Sequence, residues 1–145
     1  MEVMRIGWIA VAVALVFVAP ASGQEGSTVK IRLTFDGTAV EATLLDNATA
    51  RDFLSLLPLT LTLEDYASTE KIGYPPRKLS TAGAPAGLDP SVGDIAYYAP
   101  WGNVAIFYKD FGYSAGLITL GRIDSGIAAL TVPGSRKVTI ERVGK

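Results

Sequence analysis

The chain has no cysteine and no histidine among its 145 residues, and its single glutamine is Gln24. Without cysteine there is no disulfide, no thiol nucleophile and no attachment point for a lipoprotein lipid, so the fold must hold by packing alone. Without histidine, the commonest neutral-pH general base and much of zinc, copper and haem ligation go as well. Acid–base chemistry is left to carboxylates, lysines and tyrosines. Charge of one sign is lacking too: 13 Lys and Arg face 14 Asp and Glu. A balance that even draws the chain neither to nucleic acid nor to anionic lipid. No metal and no cofactor are expected.

Only one long hydrophobic run is present, Ile6 to Val18, preceded by Arg5 and followed by the small residues Ala19-Pro20-Ala21-Ser22-Gly23. That order predicts a signal peptide over residues 1–23, cleaved after Ala21 or Gly23. The alternative is a retained anchor, but as a helix the run rises only about 20 Å, short of a hydrocarbon core of about 30 Å. The expected product is exported, periplasmic or extracellular, with no stable membrane span after cleavage. It begins with a mobile lead-in over 24–28 and continues as one domain over 29–145, long enough to bury a core.

Within that domain the dominant period is two. Val29, Ile31, Leu33 and Phe35 alternate with polar residues, Asp36-Gly37 supplies a hairpin turn, and a partner strand follows at about 39–45. Asn47 or Asp46 then offers an N-cap, and Ala50, Phe53, Leu54 and Leu57 form the apolar stripe of a short helix that Pro58 ends. Leu59, Leu61 and Leu63 alternate with threonines as another strand, and residues 64–73 read as a polar, acidic stretch. Residues 74–93 carry so many prolines and glycines that a functional loop is a better reading than a linker. Further strands are expected at 116–123 and 138–143, with a helical turn at 124–130. Seven or eight short strands and one helix after the first hairpin make a mostly β fold, a closed β-barrel ahead of a sandwich.

Seven of the thirteen aromatic residues fall between Asp94 and Tyr113. There Ile95 to Ala99 and Val104 to Tyr108 are joined by Pro100-Trp101-Gly102-Asn103, which predicts a hairpin. Ile95 and Tyr97 share one face and Ala96 and Tyr98 the other, so two adjacent tyrosines point opposite ways. Such aromatics serve either as core or as the wall of a groove. The residues expected at a peptide or small-molecule site are Tyr98, Trp101, Asn103, Tyr108 and Phe111, with Tyr74 and Arg77 from the Pro/Gly-rich segment. Gly112-Tyr113-Ser114-Ala115-Gly116 fits the G-x-S-x-G pattern of hydrolases, but no histidine exists to activate the serine and a strand follows it. Glu64, Asp65 and Glu70 read as a solvated acidic loop.

Several blocks carry a resemblance: Asn47 to Phe53, LPLTLTLEDY from Leu57 to Tyr66, Lys71, PRKLST from Pro76, GAPAG from Gly83, YYAPWGN from Tyr97, FYKDFGYS from Phe107 and GRIDSG from Gly121. Over about Lys30 to Val143 the chain resembles the small cyclophilin-like domain family, stand-alone barrels found mostly in bacteria. The resemblance implies a closed barrel like that of cyclophilins, without a settled biochemical function. True cyclophilins isomerise X-Pro bonds with an arginine, a glutamine, an asparagine, a histidine and a ring of aromatics, and no arginine here sits in a matching motif. Three functions follow as expectations: a binding domain with its groove at the aromatic hairpin, a peptidyl-prolyl isomerase, or a structural or accessory domain.

Overall fold

A computed structural model describes residues 27–144. The leader expected over 1–23, and most of the lead-in after it, lie outside the described residues. Strands β1 (Val29–Phe35) and β2 (Thr38–Leu44) form the first hairpin. Its two turn residues, Asp36 and Gly37, sit at φ of 48° and 73°, the left-handed pair that a two-residue hairpin requires. Helix α1 (Ala48–Ser55) follows, capped by Asn47, whose side-chain oxygen accepts from the Ala50 amide at 2.8 Å. The same side chain donates to the Thr119 carbonyl at 2.9 Å, so the cap also ties the helix to the barrel wall.

The remaining strands are β3 (Leu59–Tyr66), β4 (Glu70–Gly73), β5 (Gly87–Leu88), β6 (Asp94–Tyr98), β7 (Asn103–Phe107), β8 (Ser114–Ala115), β9 (Leu117–Ile123) and β10 (Arg136–Arg142). Eight of them close an antiparallel barrel in the order β1-β10-β3-β4-β7-β6-β9-β2, while β5 and β8 pair with each other as a separate ribbon. The expected closed barrel with one short helix is therefore what forms. Closure demands close approach somewhere, and it falls at Gly121. A Cβ there would stand 2.0 Å from the Thr43 carbonyl oxygen of β2, beside the register shift between β6 and β9.

Alternation sorts the side chains. Ile31, Leu33, Val40, Leu44, Leu63, Ile95, Tyr97, Val104, Ile106, Leu120, Val138 and Ile140 fill the interior together with Phe53 of the helix. On the outer face of β6, β7 and β9 a second, smaller apolar cluster forms from Ala96, Ala105, Phe107 and Leu117, with Ile72, Leu88 and Tyr98 against it. The Pro/Gly-rich segment is pinned to α1. Asp52 takes both guanidinium nitrogens of Arg77 at 2.8 Å and the Ser80 amide at 2.7 Å, and the Arg77 bonds above all hold its carboxyl down at about 2. Leu79 is buried, and its amide donates to the Tyr97 hydroxyl at 3.1 Å.

The acidic stretch is not a solvated loop. β3 runs on through Tyr66 and β4 starts at Glu70, with Ala67 and Ser68 at φ of 51° and 53° making the turn between them. No Gly, Asn or Asp marks that turn, which is why its sequence did not announce a hairpin. On β4 the inward position is Lys71, 0% exposed. Its ammonium donates to the Val132 and Gly134 carbonyls at 2.8 and 2.9 Å and meets an Asp65 carboxylate oxygen at 2.8 Å, three acceptors for three protons. Asp65 in turn accepts from the Gly134 amide at 2.7 Å and the Tyr108 hydroxyl at 2.8 Å. Lys71, then the Gly134 amide and Tyr108, outweigh partial burial and hold the Asp65 carboxyl at about 2. Burial first, and then Asp65, push the Tyr108 phenol up to about 12.

Removing one partner of a buried pair leaves the other charge stranded. Asp65→Asn is expected to cost about 2 to 3 kcal/mol, less than the about 3 to 5 typical of fully enclosed pairs because Asp65 still reaches water. The folded-state pKa of Asp65 is depressed, so the unfolded chain takes up a proton first as pH falls from about 4 toward 2. The stability contributed by the pair is present above that window and lost within it. Urea midpoints at pH 5 and pH 2.5 check this: the gap between wild type and Asp65→Asn should narrow in acid, and an unchanged gap would contradict the assignment.

Candidate functional site

The site grows from the outer face of the barrel. Register places Tyr66 of β3 opposite Glu70 of β4, and Glu70 opposite Phe107 of β7, so these three side chains share one face. It is the face opposite to the one on which Lys71 and Asp65 meet. On β6 the same alternation sends Tyr97 into the core and Tyr98 outward, where it stands opposite Leu117 of β9. The β6–β7 turn then carries Trp101 over this surface, with the Trp101 and Gly102 amides both bonded to the Tyr98 carbonyl.

Between them lies a cleft of about 120 Å³. Tyr66, Tyr98 and Trp101 wall one side, with the indole centroid 5.3 Å from Tyr66 and 5.4 Å from Tyr98 and nearly perpendicular to both rings. Phe107, Leu117 and Phe111 line the rest, the Phe111 ring lying 6.5 Å from that of Phe107. Besides the two tyrosines, the polar residues of the lining are Ser114 and Glu70. Burial pushes the Glu70 carboxyl up to about 7, and among the described residues no cation pairs with it. A largely apolar wall, rings with unstacked faces and one desolvated carboxyl suit noncovalent binding of a small group.

Of the residues expected at the site, the structure brings together Tyr98, Trp101 and Phe111. The other four lie apart. Tyr74 is exposed beside Thr60, Thr62 and Glu64 in a separate shallow depression, and Arg77 is committed to Asp52. Asn103 is a strand residue paired with Tyr98 rather than part of the turn, which spans Ala99 to Gly102. It is 1% exposed, and its amide donates to the Val104 carbonyl at 3.3 Å. Tyr108 faces the Asp65 network. Sequence reasoning missed Tyr66, Glu70, Phe107, Ser114 and Leu117. A signal for the first two existed: extending the leucine alternation past Leu63 puts Asp65 inward and Tyr66 outward, and an inward Asp calls for a partner such as Lys71. Ser114, at the centre of the G-x-S-x-G pattern, lies in β8 with no helix after it, so it has no nucleophile elbow. Among the described residues no group of carboxylates is arranged to hold a metal ion.

The two outer-face rings should respond differently to truncation. Phe107 is 2% exposed and Trp101 49%. Phe107→Ala is expected to cost about 3 to 5 kcal/mol and Trp101→Ala about 1 kcal/mol, both read from urea unfolding. In a Trp8→Phe background, Trp101 fluorescence should be quenched readily by acrylamide in the folded state. A blue-shifted, unquenchable indole would show that the wall is core.

The sequence family described as cyclophilin-like matches residues 33–141. Among solved structures, the solution structure of a hypothetical protein from Archaeoglobus fulgidus is similar, with a TM-score of 0.60 at 20% identity over 83% of this chain and 99% of that one. At that identity the likeness speaks to the fold alone. No curated protein matches the chain. A family match over three quarters of the length, on a closed eight-stranded barrel with a single short α-helix among its described residues, has one meaning: this chain belongs to the cyclophilin-like family.

Proposed function

We propose that the protein is an exported binding domain, and that the cleft on the outer face of β4, β6, β7 and β9 receives a small ligand or a single apolar group. One observation carries the reading. Tyr66, Trp101 and Phe111, three large side chains around one cleft, are 41%, 49% and 44% exposed, although an inner barrel core was available to aromatics of this chain. Clustered exposed rings of this kind mark interaction sites. The size of the cleft limits the occupant, since an apolar cavity of about 150 Å³ takes a molecule the size of benzene. Ligand contact there need not involve chemistry, and nothing in the lining favours prolyl isomerisation: Arg77 is held by Asp52, and the lining offers one carboxyl, two phenols and one hydroxyl.

Amide and indole NMR shifts during titration with indole or with 3,3-dimethyl-1-butanol test the cleft. Saturable, millimolar binding is expected, with shifts confined to residues around Tyr66, Tyr98, Trp101 and Ser114. Shifts centred on Tyr74, or none up to the solubility limit, would remove the reading. A proline-isomerisation rate above the uncatalysed one, abolished by Trp101→Ala, would replace it with an enzyme.

Export rests on the Arg5-led apolar run and the small residues after it. Produced from its full sequence in a bacterium, the protein is expected outside the cytoplasm with Ser22 or Gln24 at its N-terminus. Retention of Met1 in a membrane pellet would instead establish an anchor.

A further inference from the structure

The binding reading above leaves open what kind of small group the cleft takes, and the arrangement of Glu70 narrows it. Adjacent residues of β4 face opposite ways and meet opposite circumstances. Lys71, inside, has Asp65 and two carbonyls. Glu70, outside, has neighbouring rings: Tyr66 and Phe107 flank it across the two strand pairs, and Tyr98, Trp101 and Phe111 complete the cleft. Every other carboxylate in or next to the β3–β4 turn has either open water or a cation; Glu70 is half-buried, and among the described residues no cation pairs with it.

Resting on that reading, we propose that the cleft binds a small molecule bearing a methylated ammonium group, held by cation–π contacts with Tyr66, Tyr98 and Trp101 and by the charge of Glu70. Three features select this chemistry. An edge-to-face pair consumes at most one ring face, so three rings in two such pairs keep negatively charged faces for a cation. A primary ammonium must give three hydrogen bonds, which for Lys71 go to three oxygens converging inside the barrel, whereas most of this cleft's wall is ring and aliphatic surface. A quaternary ammonium needs none, and its methyl groups suit an apolar wall. Burial that raises the Glu70 carboxyl also means that a cation relieves its desolvation on arrival. The small volume fits a head group by itself rather than a peptide lying along a groove.

Choline and its neutral isostere 3,3-dimethyl-1-butanol have nearly the same shape and differ in charge, so the pair separates this inference from the reading beneath it. Titrated by NMR at the same pH, choline should bind about tenfold more tightly than the isostere, at the same residues. Glu70→Gln should cut choline affinity by about tenfold and change the isostere's by less than about twofold, with the unfolding midpoint confirming that the variant folds. Trp101→Ala should weaken both. Equal or tighter binding of the isostere overturns the cation while leaving the cleft as a binding site. Failure of both compounds to shift the cleft overturns both. A capped trimethyl-lysine binding more than about tenfold tighter than choline would overturn the small molecule in favour of a peptide side chain.

Discussion

A lysine buried to 0% exposure inside a β-barrel is a severe constraint, because an ammonium taken out of water must find three acceptors or the fold fails. Lys71 finds them in Asp65 and in the carbonyls of Val132 and Gly134. Those acceptors come from the end of β3 and from the segment leading into β10, so one side chain ties the β3–β4 hairpin to the loop beneath it. Asp65 extends the tie to the Gly134 amide and to Tyr108 just past β7. Four separated parts of the chain are thereby held in one register.

That register sets the outer face as well. Side chains alternate across a strand, so fixing Asp65 and Lys71 inward compels Tyr66 and Glu70 outward. A slip of one residue would put the tyrosine in the core and the lysine in the cleft. The inner ion pair therefore determines which residues of this hairpin line the cleft, although it lies on the other face of the sheet. Two neighbouring acids, Asp65 and Glu70, show how far placement decides chemistry: lysine contact holds the first at about 2, and burial without a cation raises the second to about 7.

The outer cluster also explains how an exposed aromatic site remains ordered. Ala96, Ala105, Phe107 and Leu117 form a packed floor, and the β5–β8 ribbon places Leu88 against it. Gly87 makes the ribbon's approach feasible, since a Cβ there would lie 2.4 Å from the Ser114 carbonyl oxygen. Trp101, by contrast, projects from a turn and touches Tyr66 and Tyr98 only edge to face. The floor is fully buried, while Trp101 above it stays 49% exposed.

What the sequence determined by itself is what depends on neighbours along the chain. The period of two in 29–35, the Asp36-Gly37 turn, the Asn47 cap and the stop at Pro58 are local rules, and each holds in the structure. The opposite facing of Tyr97 and Tyr98 follows from the same pleat. The β3–β4 hairpin escaped because Ala67 and Ser68 adopt left-handed angles without the residues that usually signal them, and three acids nearby suggested solvent. Only tertiary structure decided that Lys71 is interior, that Arg77 serves Asp52, that Asn103 is buried beside Tyr98 and Tyr108 bonds Asp65, and that Tyr66 and Glu70 enter the cleft. These outcomes depend on which strand lies beside which in the closed barrel, where β4 comes between β3 and β7. That adjacency is enforced by burial and ion pairing between residues distant in sequence, which no local period records.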